Sequence, residues 1–278
     1  MESINELPNH LVALIMQQLP IDERCRCCVV SKAFNTLNSH LQLGPALHIR
    51  PQQVADAHFA SWAAGRLTGV TGLHVLPCQS AVDRIAQSNL TAGLCALLSM
   101  CGGGALKSLT VSDTISLSQL ALRHLPGSLE EVSLSVAFDD SCMENKPHGT
   151  YAFPASMPHL RRLRLQVTCM NVRSYGLVTM PSSLPTSLET VWVGTRARGR
   201  RIGPSLLMPK ASDLPNIKEI ELDATCFICH EGDSSLAAFL SALPKLESVR
   251  LRSDVRAVDY QSALTHLRGL KRTHWEAL

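Results

Sequence analysis

The sequence predicts a mixed α/β chain. A short three-helix module comes first, followed by an irregular solenoid with parallel strands on its concave side and helices or irregular segments on its convex side. Two patterns predict this. The first ~40 residues carry apolar side chains at helical spacing between Leu-Pro pairs. From residue 70 onward an apolar-x-x-apolar-x-apolar hexad recurs, usually just after a proline. The boundary is expected between residues 1–42 and 43–278. Composition allows a sizeable core, since 45% of the 278 residues are apolar. Only 4% are aromatic, so that core must be mostly Leu, Val and Ala.

The helical module opens with SINELPNHLVALIMQQL, residues 3–19. Pro8 suits a first helical position, where its missing N–H costs nothing. Leu11, Leu14, Ile15 and Leu19 follow at helical spacing, and Pro20 stops the helix. Asp22 can cap the next stretch, DERCRCCVVSKAFNTL. That stretch is apolar on two faces, with Cys25, Cys28 and Val29 on one and Cys27, Val30, Phe34 and Leu37 on the other. Two apolar faces need two sets of partners. A unit of ~40 residues is near the lower limit for folding alone. The following domain or a second protein is expected to cover its outer face. The dense cysteines read as small hydrophobes in a helix rather than as metal ligands.

This segment resembles an F-box. Leu7, Pro8, Leu11, Ile15, Leu19, Val30, Ser31 and Phe34 stand at the positions where that motif places its Leu-Pro pairs, its helical apolar residues and its closing Val-Ser-Lys-aromatic run. Three residues depart from the pattern. His10 replaces a common acidic residue, Arg24 a common Leu, and Phe34 a frequent Trp. Arg24 is the most awkward of them for partner binding. The resemblance implies docking to a Skp-type adaptor of a cullin-RING ubiquitin ligase through Leu7, Pro8, Leu11, Ile15, Leu19, Val30 and Phe34. Some of these are core residues and some direct contacts, and the sequence does not separate the two roles.

The hexads are LKSLTV at Leu106, LEEVSL at Leu129, LRRLRL at Leu160, LETVWV at Leu188, IKEIEL at Ile217 and LESVRL at Leu246. Their starts differ by 23, 31, 28, 29 and 29, from 106, 129, 160, 188, 217 and 246. VTGLHV at Val70 is an earlier copy and LKRTHW at Leu270 a degenerate last one. Each copy offers a short strand with Leu or Val pointing inward. One strand cannot bury that face alone, so neighbours must stack in parallel and share a core. Between them, residues 80–100 and 234–244 are helix-compatible. Residues 137–157 are too polar and broken for a regular helix and read as a surface loop.

These periods and hexads resemble leucine-rich repeats, which commonly follow an F-box. A consistent Asn after the strand is missing. Cys169 and Cys226 fall near that place but one residue late, so an irregular horseshoe is expected. Strand residues alternate between core and surface. The position between the last two apolar residues therefore gives one concave row: Thr110, Ser133, Arg164, Trp192, Glu221 and Arg250. Neighbouring rows add Arg162, Gln166, Glu219, Asp223 and Arg252. An exposed Trp192 among Arg and Glu has the chemistry of a protein-recognition hot spot; the alternative is a Trp192 packed against a loop, with the charges merely solvated. Candidate substrate contacts are Arg162, Arg164, Trp192, Glu219, Glu221, Arg250 and Arg252.

Other classes find little support. A net charge of +3 with 18% charged residues does not mark the whole surface for nucleic acid or membrane. No apolar run reaches the ~20 residues of a membrane span. The N-terminus MESINELPNH lacks a secretory pattern, so the ten cysteines are expected as reduced thiols in the cytoplasm or nucleus. CFICH, Cys226–His230, matches a c-type haem attachment pattern, but it directly follows a hexad strand and has no export signal. Zinc would need a second close Cys/His pair. MCGGGALKS lacks the Gly-Lys-Ser/Thr of a phosphate loop, GDSS near residue 232 is no nucleophile elbow, and the arginines of TRARGRR, 195–201, fit a solvated loop. The resulting expectation is a non-catalytic substrate-recognition subunit that uses no cofactor or metal and acts on an unknown target protein. The alternative is a repeat scaffold whose N-terminal helices only cap the solenoid.

Overall fold

A computed structural model describes residues 7–19, 21–40, 45–63, 66–67, 69–77, 87–101, 104–138, 157–169, 177–179, 184–197, 205–207, 209–223, 227–228, 236–253 and 272–277. Three helices open it: α1 Asn9–Gln18, α2 Ile21–Val30 and α3 Lys32–His40. Pro8 stands just before α1, where its carbonyl accepts the amides of Leu11 and Val12 at 2.9 and 3.2 Å. α2 begins at Ile21, so Asp22 lies inside the first turn rather than capping it. Ser31 divides the second apolar stretch in two. Its hydroxyl accepts the Phe34 amide at 3.4 Å, an N-cap that starts α3.

Every hexad forms a strand. β2 Gly72–Val75, β3 Ser108–Val111, β5 Glu131–Phe138, β6 Arg162–Cys169, β8 Thr190–Ala197, β10 Glu219–Asp223, β12 Ser248–Ser253 and β13 Arg272–Ala277 correspond to the eight copies. β1 Ala46–Ile49 precedes them, and β4 Ser116–Ser118 pairs with the second half of β5. Together they make an open ten-stranded sheet in the order β1-β2-β3-β5-β6-β8-β10-β12-β13, with every pairing parallel. A second parallel sheet joins β7 Leu177–Thr179, β9 Ser205–Leu207 and β11 Phe227–Ile228. The hexads do not announce this sheet, β1 or β4.

The register is uniform. The fourth hexad position runs straight across the strands as Leu47, Leu73, Leu109, Val132, Leu163, Val191, Ile220 and Val249. All eight are buried. Full burial of such a side chain contributes about 1.5–3 kcal/mol, so this row and its neighbours supply much of the driving force. Several of the turns before the strands are built the same way. The first apolar residue closes them, as in Leu129 N–H to Pro126 O, Leu160 to Met157 O and Leu188 to Pro185 O. Ser128 and Ser187 then donate to the carbonyls of Leu106 and Leu160, just before the preceding strands, both at 2.8 Å.

Behind the first strands pack α4 Pro51–Val54, α5 Ala57–Ala63 and α6 Gln87–Met100, with Leu90, Leu94, Leu97 and Leu98 of α6 in the core. α7 Leu236–Ser241 adds Leu236, Phe239 and Leu240, followed by Leu243, as its spacing predicts. Residues 139–156 of the expected loop lie outside the described residues, as do Cys226, Cys229 and His230 of CFICH.

Gly93 lets α6 approach α4. A Cβ there would sit 1.8 Å from the Val54 carbonyl oxygen, a backbone atom with no room to yield. Gly93→Ala is expected to lower stability by about 1–3 kcal/mol, although Ala normally favours a helix. A denaturant titration of the variant against the wild type checks it.

Candidate functional site

Two surfaces carry candidate functional residues. The first is on the helical module. α1 is split by its own periodicity: Val12 and Met16 are buried, whereas Leu11, Leu14 and Ile15, with Leu7 just before the helix, stand 39–54% exposed. Leu11, Leu14 and Ile15 follow at i, i+3 and i+4, which places them on one face of α1, and Leu7 lies just before the helix. Val30, at the end of α2, is 79% exposed. Seven large apolar side chains are exposed among the described residues, and all but Leu76 and Met100 belong to this module. Such a concentration marks an interaction surface rather than scattered exposure. Pro8 is also exposed, while Leu19 and Phe34 are half-buried and serve the module's own packing as well.

The second surface is the exposed face of the large sheet. Its central row is in register from edge to edge: His48, His74, Thr110, Ser133, Arg164, Trp192, Glu221, Arg250 and His274. The six residues expected in one row are thus brought together, with a histidine pair at one end and His274 at the other. Arg162 and Glu219 lie in the row before it. Gln166, Asp223 and Arg252 lie in the row after. Three ion pairs join side chains directly opposite one another: Arg162–Glu131, Arg250–Glu221 at 3.4 Å and Arg252–Asp223 at 3.6 Å.

Trp192 is half-buried, between the exposed and the packed readings of its sequence position. The Arg164 guanidinium lies 4.1 Å from its ring centroid. The ring covers Gly194, where a Cβ would come within 2.5 Å of the indole. Two strands beyond the charges, His48 and His74 stack with centroids 4.7 Å apart. Burial, and next the neighbouring His48, hold His74 below its ordinary range.

A third feature runs along the lip where the chain turns into the strands. The second hexad position reads Lys107, Glu130, Arg161, Glu189, Lys218 and Glu247, with sign alternating at every step. The carbonyl of each accepts the next one's amide at 2.7–2.9 Å. Lys107 pairs with Glu130 at 2.9 Å and Lys218 with Glu189 at 2.7 Å. Hydrogen bonds from those lysines, then their charges, hold both carboxyls below the usual carboxylate range; Arg161 contributes to each. This alternation was readable in the hexads but is visible as a ladder only once they stand side by side.

Residues 4–37 match the F-box domain. No curated protein matches the chain. F-box domains generally bind a Skp-type adaptor in cullin-RING ligases, and the match supports an F-box protein.

Within the F-box, Arg24 does not intrude on the exposed apolar face. Its Nε donates to the Leu19 carbonyl at 3.0 Å and its guanidinium also bonds the Gln17 carbonyl. A cation on the last carbonyls of α1 satisfies orphan acceptors and complements the helix dipole. Cys27 and Cys28 are half-buried, and the Cys28 thiol donates weakly to the Phe34 carbonyl at 3.9 Å. Elsewhere, burial raises Cys95 and pushes Cys101 up to about 11, which leaves both as unreactive thiols at neutral pH. Among the described residues no three His, Cys, Asp or Glu side chains converge on a metal position. No described helix is long and apolar enough to cross a membrane.

Arg24→Ala is expected to destabilise the module by about 1 kcal/mol through the lost capping bonds. Thermal unfolding followed by circular dichroism would show it, and Arg24→Lys should recover part of the loss. The lip ladder predicts an acid-sensitive term. Glu130 and Glu189 titrate lower in the folded chain than unfolded. Their contribution is therefore full above the unfolded carboxyl range and is lost as pH falls through the folded values. Urea midpoints should drop as pH falls from neutrality through and below the usual carboxyl range, and less so in the Lys107→Met, Lys218→Met variant.

Proposed function

We propose that this chain is the non-catalytic substrate-recognition subunit of an SCF-type ubiquitin ligase, working in the cytoplasm and/or nucleus. The observation that carries the reading is the F-box match over a module that presents Leu7 and, on α1, Leu11, Leu14 and Ile15 to solvent. Docking to a Skp-type adaptor would cover that apolar face, together with Pro8 and Val30. Leu19 and Phe34 would hold the helices that present it.

The sheet is read as an irregular leucine-rich-repeat solenoid. Strands that follow one another in sequence and lie side by side in parallel support this, as do hexads in register across them. Its exposed face would hold the target protein, with Arg162, Arg164, Trp192, Glu219, Glu221, Arg250 and Arg252 as the contact set. The chain performs no covalent step and needs no cofactor. It brings target and conjugating enzyme together, which converts a bimolecular encounter into an effectively intramolecular one.

Co-purification with a Skp-type adaptor tests the docking half. The wild type is expected to retain the adaptor. Leu11→Asp with Ile15→Asp should abolish retention without unfolding the chain, because both side chains stand in solvent. A wild type that captures no adaptor would leave the helices as a cap on a scaffold.

A further inference from the structure

We propose that the Arg164–Trp192 pair anchors an acidic side chain, Asp or Glu, of the target protein. This rests on the reading of the sheet face as the target-binding surface and names the chemistry of its centre. The other arginines predicted for this face are already matched. Arg162 faces Glu131, Arg250 faces Glu221, and Arg252 faces Asp223. Arg164 is different. Its register neighbours are Ser133 and Trp192, and no carboxylate pairs with it among the described residues.

The ring beneath Arg164 does two things. It limits the conformations of a long side chain, and it strips water from one side of a weakly hydrated cation. Both reduce what a ligand must overcome to bind there. The indole can lie there only because position 194 is glycine, where a Cβ would come within 2.5 Å of the ring. On the other flank, Thr110 and Ser133 leave a low, uncharged floor on β3 and β5. A carboxylate can take two parallel N–H bonds from the guanidinium. With Arg162 and Arg250 committed to Glu131 and Glu221, the one guanidinium of Arg164 matches a single negative charge rather than the two of a phosphate.

The test uses the full chain and a library of C-terminally amidated peptides with one fixed position: Asp or Glu, Asn or Gln, or phosphoserine. The bound pool should be enriched about tenfold in Asp and Glu over their amides, in line with a charged hydrogen-bonded pair. Arg164→Gln should erase the enrichment and Arg164→Lys keep part of it. Arg26→Gln, on the helical module, should change nothing. Circular dichroism confirms that each variant is folded. Enrichment that is absent, that survives Arg164→Gln, or that favours phosphoserine over Asp and Glu overturns the proposal. Two companion variants, Glu221→Lys and Arg250→Glu, separate it from its premise. If they alter other preferences while acidic selection is missing, only the anchor fails. If no variant of the sheet face alters the bound pool, the face is not the target site.

Discussion

The sheet depends on one constraint: each strand must meet its neighbours in the same register. Side chains alternate with a period of two, so a slip of one residue would send Val132, Leu163 and Val191 into solvent and bring Ser133, Arg164 and Trp192 into the core. Apolar burial forbids that slip strongly. The alternating lip of Lys107, Glu130, Arg161, Glu189, Lys218 and Glu247 forbids it in a second way. A misplaced strand breaks the carbonyl-to-amide chain at those positions and separates the opposite charges beside it. These ion pairs are surface pairs, individually weak. Their value lies in discrimination between registers rather than in total stability. The exposed face inherits its order from this register, because Glu131, Glu221 and Asp223 meet arginines only when their strands align.

Much of this was legible in the sequence for a simple reason. A hexad with three apolar positions and surface residues between them specifies both a strand and its buried face. Eight copies also specify their neighbours, since only parallel stacking closes a shared core. What was not legible lacked that redundancy. β1 contributes four residues, ALHI, and in its hexad frame the first apolar position is occupied by Gly44. β7, β9 and β11 are two or three residues long, too short for any period to show. Their pairing follows from the main sheet, which carries successive return segments alongside one another.

The two candidate surfaces were legible to different degrees. The central row could be written down before the strands were placed. The state of Trp192 could not, because its burial comes from Arg164 one strand away and from Gly194 two residues on. In the F-box, helical spacing identified the apolar residues without saying which turned outward. Leu14 joined the exposed face although the motif did not mark it, while Leu19 and Phe34 turned partly inward. Arg24 looked like a misfit only while the motif was read as a string. A long cationic side chain can turn back to the carbonyl end of the preceding helix, and a leucine in its place could not.

The contrast between the surfaces has a physical consequence. The α1 face is apolar, so its burial contributes roughly 25 cal/mol per Å² with little demand on the partner's exact chemistry. That suits a constant partner. The sheet face offers almost no apolar area beyond one tryptophan, and most of its charges already neutralise one another. Burying a paired charge gains little and leaving one unmatched costs much. A ligand that fails to match the arrangement would therefore be rejected, whereas a matching one gains mainly at the few groups that are not internally satisfied. If the face holds a target as proposed, it would discriminate between proteins, most sharply at Arg164, which no carboxylate pairs with among the described residues.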